Sequence, residues 1–522
     1  MEKKWWTLLA VCVGTFMLLL DVTIVVVALP DIQRALHAGF SDVQWVVDAY
    51  ALALASFLLT TGVLADRYGR RLLFSIGLVI FTAGSLLCGV AQNPLMLILS
   101  RAGQGVGGAI MFATSLALLG HSFRGRDRGI AFGIWGAITG AAVSLGPILG
   151  GLITTGISWR GIFLVNVPIG VAALAITWWR VDESRAASPG RLDVPGFVLL
   201  TAGLVGLVYG LIRAGESSWS DSGAITAIVI GGVLLICFVL AELKVPNPIF
   251  DLSLFRNPTF VGGLFAAFAM NGSLFAMFLY LVLYLQDVLG YSALATGARL
   301  LVNSLAVLVA STVAGRLSEK VPARWLIGPG LVAVGVGLLL MGGLNRDSSW
   351  THLIPGFLVS GVGAGLVNPP LASTAIGVVE PERAGMASGI NATFRQVGLA
   401  TSIAALGSIF TTSLRNQLTQ ALASTPLASS TNQIINAVRQ GQTSAVPSNT
   451  PPAVAAQVES AIRASFTGAL NDLFLVTGIL ALVGGVLAAL LIRSKDFTAR
   501  PGPAQAAQAQ TPRPASAIED AA

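Results

Sequence analysis

The chain has 522 residues, of which 54% are hydrophobic and only 11% charged, and its mean hydropathy is +0.79. A soluble globular chain carries about 25% charged residues, and one this apolar would expose adhesive patches far larger than water tolerates. Composition therefore excludes a soluble enzyme or binding module and identifies an all-α polytopic membrane protein.

Windows of about 20 apolar residues, each long enough to cross a hydrocarbon core of about 30 Å as a helix, recur along the chain. In order they fall near 6–29, 43–64, 72–91, 95–119, 130–154, 162–180, 194–213, 223–242, 259–285, 296–315, 324–343, 352–379, 387–411 and 470–492. That predicts 14 transmembrane helices. The opening MEKKWW and its apolar run do not form a signal peptide, because the run is too long, carries Asp21 and lacks a small-residue cleavage site. An even number of spans puts both ends on one side. Short loops on that side carry Arg67, Arg70, Arg71, Arg124, Arg126, Arg128, Arg180, Arg185, Arg191, Lys244, Arg256, Arg316, Lys320, Arg324 and Arg383. The opposite loops carry only Arg34, Arg160, Arg213 and Arg346. Basic residues near span ends resist translocation, so both termini are expected in the cytoplasm of a cell membrane. The net charge of +7 then describes a cytoplasmic face in a lipid bilayer and no nucleic-acid surface. Cys12, Cys88 and Cys237 all fall inside predicted spans, and no disulfide is expected.

Two halves are visible. GVLADRYGRR (62–71) follows span 2, and a degraded echo, GRLSEK (315–320), follows span 10. If a six-helix unit repeats, spans 7 and 8 are an inserted pair, and a binding site is expected at the repeat interface. The expected divisions are an N-terminal bundle 1–181, an insert 182–258, and a C-terminal bundle 259–495 with an outer loop 412–469. The tail 496–522, rich in Ala, Pro and Gln, is expected to be disordered.

Enzymatic motifs are missing. The sequence has no GxxxxGK[ST] phosphate loop, no GxSxG and no HExxH, and His37, His121 and His352 make no metal spacing. GQGVGG (103–108) fits a dinucleotide pattern, but it lies in an apolar span, where small residues serve close helix packing. NAT at 391 lies in a span and is no glycosylation site. Glycines spaced as Gly136-xxx-Gly140 and Gly146-xxx-Gly150 would let helices touch along bare backbone, and Pro147 would bend span 5, as tight packing or as a hinge or seal in a pathway.

Several stretches together resemble the fourteen-helix drug:proton antiporters of the major facilitator superfamily. They are LDVTIVVVALP (20–30), with Val26 in place of a usual asparagine, GVLADRYGRR, RAGQGVGG (101–108), GPILGG (146–151), WRGIFLVNVPIG (159–170) and GMASGINATFRQVGLA (385–400). The resemblance covers roughly residues 10–495 apart from the outer loop. It implies the major facilitator fold, two six-helix bundles plus an inserted pair, and proton-coupled efflux of amphiphilic drugs by alternating access. The proton gradient would be the energy source, with no cofactor and no metal, and a monomer would suffice. A dedicated exporter of one antibiotic or metabolite is the alternative; uptake, or a membrane sensor or enzyme, fits the motifs less well.

The resemblance makes the 62–71 segment a rim latch in which Gly62 and Gly69 allow close approach, Asp66 pairs across the rim, and Arg67, Arg70 and Arg71 anchor. The competing reading is topology signalling alone. Ionisable groups inside spans suggest function by default. Asp21, about 12 Å from the outer end of span 1, Asp48 in span 2 and Arg101 in span 4 are the expected proton-coupling groups. A static ion pair is the alternative for Arg101 and Asp21, and a merely solvated role the alternative for Asp48. In span 9, Met270, Ser273, Met277, Tyr280, Tyr284 and Asp287 share one helical face. Met270, Met277, Tyr280 and Tyr284 of this face, with Asn368, are expected to hold flat lipophilic substrates, or else the stripe packs as core. Arg299 and Arg395 are further intramembrane groups, Arg395 with a structural role.

Overall fold

The computed structural model of the protein describes residues 2–123, 125–185, 193–216, 219–244, 252–318, 320–379, 384–423, 434 and 452–497. The expected tail lies almost wholly outside them. Helices are the only regular structure among the described residues, as lipid requires, because a spanning segment must satisfy its own backbone donors and acceptors.

The first half comprises α1 (Lys3–Leu36), α2 (Phe40–Tyr68), α3 (Arg70–Gly89), α4 (Pro94–Ser122), α5 (Gly125–Gly156), the short α6 (Gly161–Leu164) and α7 (Asn166–Arg180). Next come α8 (Val194–Glu216) and α9 (Ser222–Glu242). The second half contains α10 (Pro258–Met270), α11 (Ala276–Leu283), α12 (Ala293–Leu317), α13 (Arg324–Met341), α14 (Ile354–Gly377), α15 (Ala384–Leu422) and α16 (Pro452–Leu491). Among the described residues, twelve helical segments are long and apolar enough to cross a membrane, and α5, bent by 41° between Ala142 and Leu145 ahead of Pro147, makes a thirteenth when its two arms are counted as one span. The 29 residues of α2 include the apolar stretch Trp45–Leu58 and would reach about 44 Å, so fourteen spans are compatible with the structure.

Two apolar cores form. Leu18, Leu54, Phe74, Phe81 and Leu118 anchor one within α1–α7. Met270, Leu331, Phe357, Leu406 and Phe474 anchor the other within α10–α16. The pair α8/α9 lies across the seam: Leu200 and Leu204 pack on second-half helices, while Val208 and Ile212 pack on Trp45 and Leu52 of α2. Asp221 caps α9 by accepting from the Ala224 amide and pairs with Arg213 at 2.7 Å. The Arg213 hydrogen bond, with the Ala224 amide, holds the Asp221 carboxyl below the usual range. The outer face of α9 is bare aliphatic surface (Val229, Val233, Ile236, Leu240), suited to lipid.

Three boundaries differ from the sequence expectation. Helix α1 continues to Leu36, ending in a left-handed cap at His37, so Asp21 lies 15 residues, about 23 Å, from that end. Helix α15 continues to Leu422 and α16 begins at Pro452, so both ends of the expected loop 412–469 are helix. The polar composition of these extensions hid an apolar stripe: Leu414, Leu418, Leu422, Val458, Ile462 and Phe466 are buried together with Ile434.

Candidate functional site

Among the described residues, a buried polar cluster is centred on Asp21. This α1 carboxylate has no exposed surface, and Arg101 of α4 is 1% exposed. Arg101 Nη1 donates to Asp21 Oδ2 and, at 2.7 Å, to Gln104 Oε1, while its Nε donates to the Val46 carbonyl of α2 at 3.0 Å. Gln104 Nε2 donates to Asp21 Oδ1 at 2.8 Å and to Ser85 Oγ of α3 at 2.7 Å. Asn166 Nδ2, at the start of α7, donates to Asp21 Oδ1 at 3.1 Å. The Tyr50 ring lies 4.2 Å from the guanidinium carbon. Five helices therefore meet on one ion pair. Arg101 and Gln104 reach it together because residues three apart share a helix face.

Asp48, also in α2, is 2% exposed but belongs to different surroundings. It lies within electrostatic range of Tyr280 of α11, which belongs to the other half. Asp21 thus sits inside the first bundle, and Asp48 on the seam between bundles. At the end of the seam away from the α2–α3 turn, the halves touch. Gln286 Nε2 donates to the Val27 carbonyl at 3.5 Å, Asp287 feels the charge of Arg34, Val26 packs on the second core and Leu279 on the first half.

Helices α10 and α11 form one continuous span, Pro258–Val288, interrupted by π-helical turns at Asn271–Phe275 and Tyr284–Val288. Such turns occur frequently at functional sites. Met270, Met277 and Tyr284 have no exposed surface, and Tyr280 is 6% exposed. They face the second bundle's own core: Tyr280 stands beside Phe410, and Tyr284 stacks on Phe466 and donates to the Ser348 carbonyl. The expected substrate stripe is therefore core here, because this helix is enclosed by α13–α16 and its largest side chains fill that enclosure. Half-buried positions along the span include Asn271, Phe275, Phe278, Leu279, Gln286 and Asp287. A matching half-buried series on α1 is Val13, Phe16, Leu19, Val22 and Val26. Asn368 of α14 is half-buried and accepts from Arg395 Nη1 at 3.3 Å. Arg299 donates to the Ala295 carbonyl and lies over Tyr291 and Trp350 near the start of α12.

The GVLADRYGRR segment is almost entirely helix. Gly69 alone joins α2 to α3, with φ of +123°, a conformation side chains resist. A Cβ there would stand 2.6 Å from the Glu183 carboxyl carbon. Glu183 caps α3, accepting from the Arg71 amide at 3.0 Å and the Leu72 amide at 3.1 Å, where the helix dipole favours an anion. The Arg70 amide donates to the Ser184 carbonyl, and the Arg70 side chain to the Ala117 carbonyl. Arg67 lies over the Tyr68 ring. These Gly69, Arg70 and Arg71 contacts all lie within the first bundle, and the Asp66 side chain is outside the described residues. Gly62 is less demanding than expected, since a Cβ there would meet only Ala113 at an ordinary 3.9 Å. Gly69→Ala should lose most transport at matched expression, through about 1–2 kcal/mol of backbone strain and displacement of Glu183. Gly62→Ala should transport normally. Equal transport by both variants would remove the turn from the mechanism.

Sequence reasoning missed Gln104, Ser85, Asn166 and Glu183. The first three are small or uncharged polar residues in apolar runs. The signal available for Gln104 was its place in RAGQGVGG, one helical turn from Arg101.

The Major Facilitator Superfamily profile matches residues 11–440. The chain is 37% identical over 404 residues to the multidrug resistance protein Stp of Mycobacterium tuberculosis, covering 77% of this chain and 75% of that one. It is 31% identical over 522 residues to the Tetracenomycin C resistance and export protein of Streptomyces glaucescens, covering 98% of this chain and 95% of that one. Among solved structures, a bacterial homologue of the human lysosomal transporter Spinster is similar at a TM-score of 0.56, with 16% identity, covering 95% of this chain and 99% of the other. The profile match spans most of the chain, and both halves of the helical architecture lie within the similarity to the Streptomyces protein: this protein belongs to the Major Facilitator Superfamily.

Proposed function

We propose that the protein exports amphiphilic drugs or antibiotics across the cytoplasmic membrane in exchange for protons, by alternating access. The observation that carries this reading is similarity along 98% of the chain to a resistance and export protein, on a fold of two helix bundles flanking a central seam. In this reading the face carrying the α2–α3 turn and both chain ends is cytoplasmic, no cofactor takes part, and a monomer suffices. Asp21 carries the proton and Arg101 holds it charged in one state; Asp48, on the seam, is the rival carrier. Drug contact falls on the half-buried face of α10/α11 and on Asn368, while Met270, Met277 and Tyr284 shape that helix from behind.

A narrower reading, export of one antibiotic, is favoured by the relative named for tetracenomycin C. One experiment separates the two: a growth panel of dyes, biocides and antibiotics in a pump-deficient host expressing the protein. Resistance to several unrelated amphiphiles supports a multidrug exporter, and resistance to one structural class supports the narrow reading. A panel with no protection, from protein shown to be in the membrane, would sink both.

A further inference from the structure

Arg101 has a carboxylate. Arg395, set deep in α15 of the second half, has none among the described residues. It lies 11 residues into α15, about 17 Å from that helix's start. Among the described residues it makes one hydrogen bond, to the Asn368 amide oxygen at 3.3 Å, and no carboxylate forms an ion pair with it. A guanidinium inside a membrane protein is costly and is kept where it faces a partner or an interior space. Arg395 is half-buried rather than closed over.

The neighbouring turns of α15 show which way it faces. Ala392, one turn earlier, packs in the first bundle's core. Gly398, one turn later, lies against the α10 backbone, where a Cβ would stand 2.9 Å from Phe268 Cα. Residues three apart lie on adjacent parts of one face, so Arg395 is placed between the first bundle and α10, on the seam. The half-buried Asn271, Phe275 and Phe278 lie along the same helix run, α10/α11. A guanidinium has five N–H donors in a planar fork, suited to two oxygens of an anion. Only one partner is taken up here, and Asn368 fixes the fork.

We propose that Arg395, positioned by Asn368, is an anion-recognition site on the central seam, and that the exported molecules include flat amphiphiles carrying a carboxylate or an ionised phenol. This rests on the efflux reading and sharpens it to a substrate class. The anionic group meets the guanidinium, and the ring system meets the aromatic face of α10/α11.

The test uses two dyes with the same xanthene ring and opposite charge, fluorescein and tetramethylrhodamine methyl ester. Binding to the purified full-length protein is followed by fluorescence anisotropy. Arg395→Gln should weaken fluorescein binding at least about tenfold, the loss expected when a charged hydrogen-bond partner is removed, and should tighten binding of the cationic ester. Arg395→Lys, which keeps the charge without the fork, should fall between wild type and Arg395→Gln for fluorescein. If Arg395→Gln fails to fold, Asn368→Asp supplies the same reversal of preference, because it places a carboxylate beside an intact guanidinium. An equal fall for both dyes would mean a scaffold role and overturn the proposal. So would unchanged fluorescein binding in the variants, or no fluorescein binding by wild type. The efflux reading is scored separately by the growth panel, where no protection from protein shown to be in the membrane counts against efflux and leaves the binding result to judge Arg395.

Discussion

Asp21→Asn should give a protein that is markedly less stable and no longer couples protons to drug, whereas Asp21→Asn combined with Arg101→Gln should recover stability without recovering coupling. The single change leaves Arg101, 1% exposed, with neutral partners alone, the Val46 carbonyl, the Gln104 amide oxygen and the Tyr50 ring, and no anion to balance its charge. Breaking a buried pair by removing one partner costs about 3–5 kcal/mol, while replacing both charges is often close to neutral. The double variant keeps amide groups that can still bond Ser85 and Asn166. Coupling is a different matter. An antiporter needs a group that takes a proton in one facing state and releases it in the other, and a neutral amide does neither. Thermal melting of detergent-solubilised protein reads the first effect. Substrate-induced proton movement in proteoliposomes reads the second, with downhill substrate exchange partly retained in the double variant. If single and double variants melt alike, the unpaired guanidinium is not what destabilises the single variant. If the double variant moves protons at the wild-type ratio, Asp21 is not the carrier, and Asp48, within electrostatic range of the other half's Tyr280, takes its place.

This arrangement shows what a membrane sequence discloses and what it withholds. Depth is nearly one-dimensional, because a helix advances 1.5 Å per residue, and hydropathy alone locates most of the spans. Azimuth is different. The 100° step places Met270, Met277, Tyr280 and Tyr284 on one face, but nothing local says whether that face meets the bundle's own core or the seam. The structure turns it to the core and leaves Asn271, Phe275 and Phe278 half-buried. Arg101 was legible because a charge in an apolar run demands a partner. Gln104, Ser85 and Asn166 make no such demand individually, and only their convergence on Asp21 gives them a role. Glu183 was invisible for a related reason. It lies in the short segment after α7, 114 residues from Gly69, and it matters only because the chain folds back over the start of α3. Sequence patterns also misled at Gly136, which reads like a helix-packing glycine yet has no atom within 4 Å of a built Cβ.

That contrast sets up the second large effect. Gly146→Ala should abolish most transport while Gly136→Ala, ten residues earlier on the same helix, should be neutral or slightly stabilising. At Gly146 a Cβ would overlap Thr23 Oγ1 and stand 2.7 Å from Thr23 Cβ. Thr23 cannot easily turn aside, since its hydroxyl is hydrogen-bonded to the Leu19 and Leu20 carbonyls at 3.1 Å. Nor can α5 retreat from α1, because its other flank is occupied: the Pro147 carbonyl carbon lies 2.7 Å from where a Cβ on Gly297 of α12 would be. The bend at Pro147 is thus wedged between a helix of each half, two residues along α1 from Asp21. Overpacking such a site costs about 1–3 kcal/mol, enough to shift a two-state facing equilibrium by about fivefold to a hundredfold. Gly150→Ala should be intermediate, as a Cβ there would meet the Ile24 side chain and carbonyl at 3.0 Å. At Gly136 the new methyl meets nothing, and alanine improves the helix by about 0.5–1 kcal/mol. The measurement is initial drug-export rate in cells at matched membrane expression, with melting temperature measured alongside. Equal rates for Gly146→Ala and Gly136→Ala would show that the α1–α5–α12 wedge does not set the facing equilibrium, and the bend would then be packing alone.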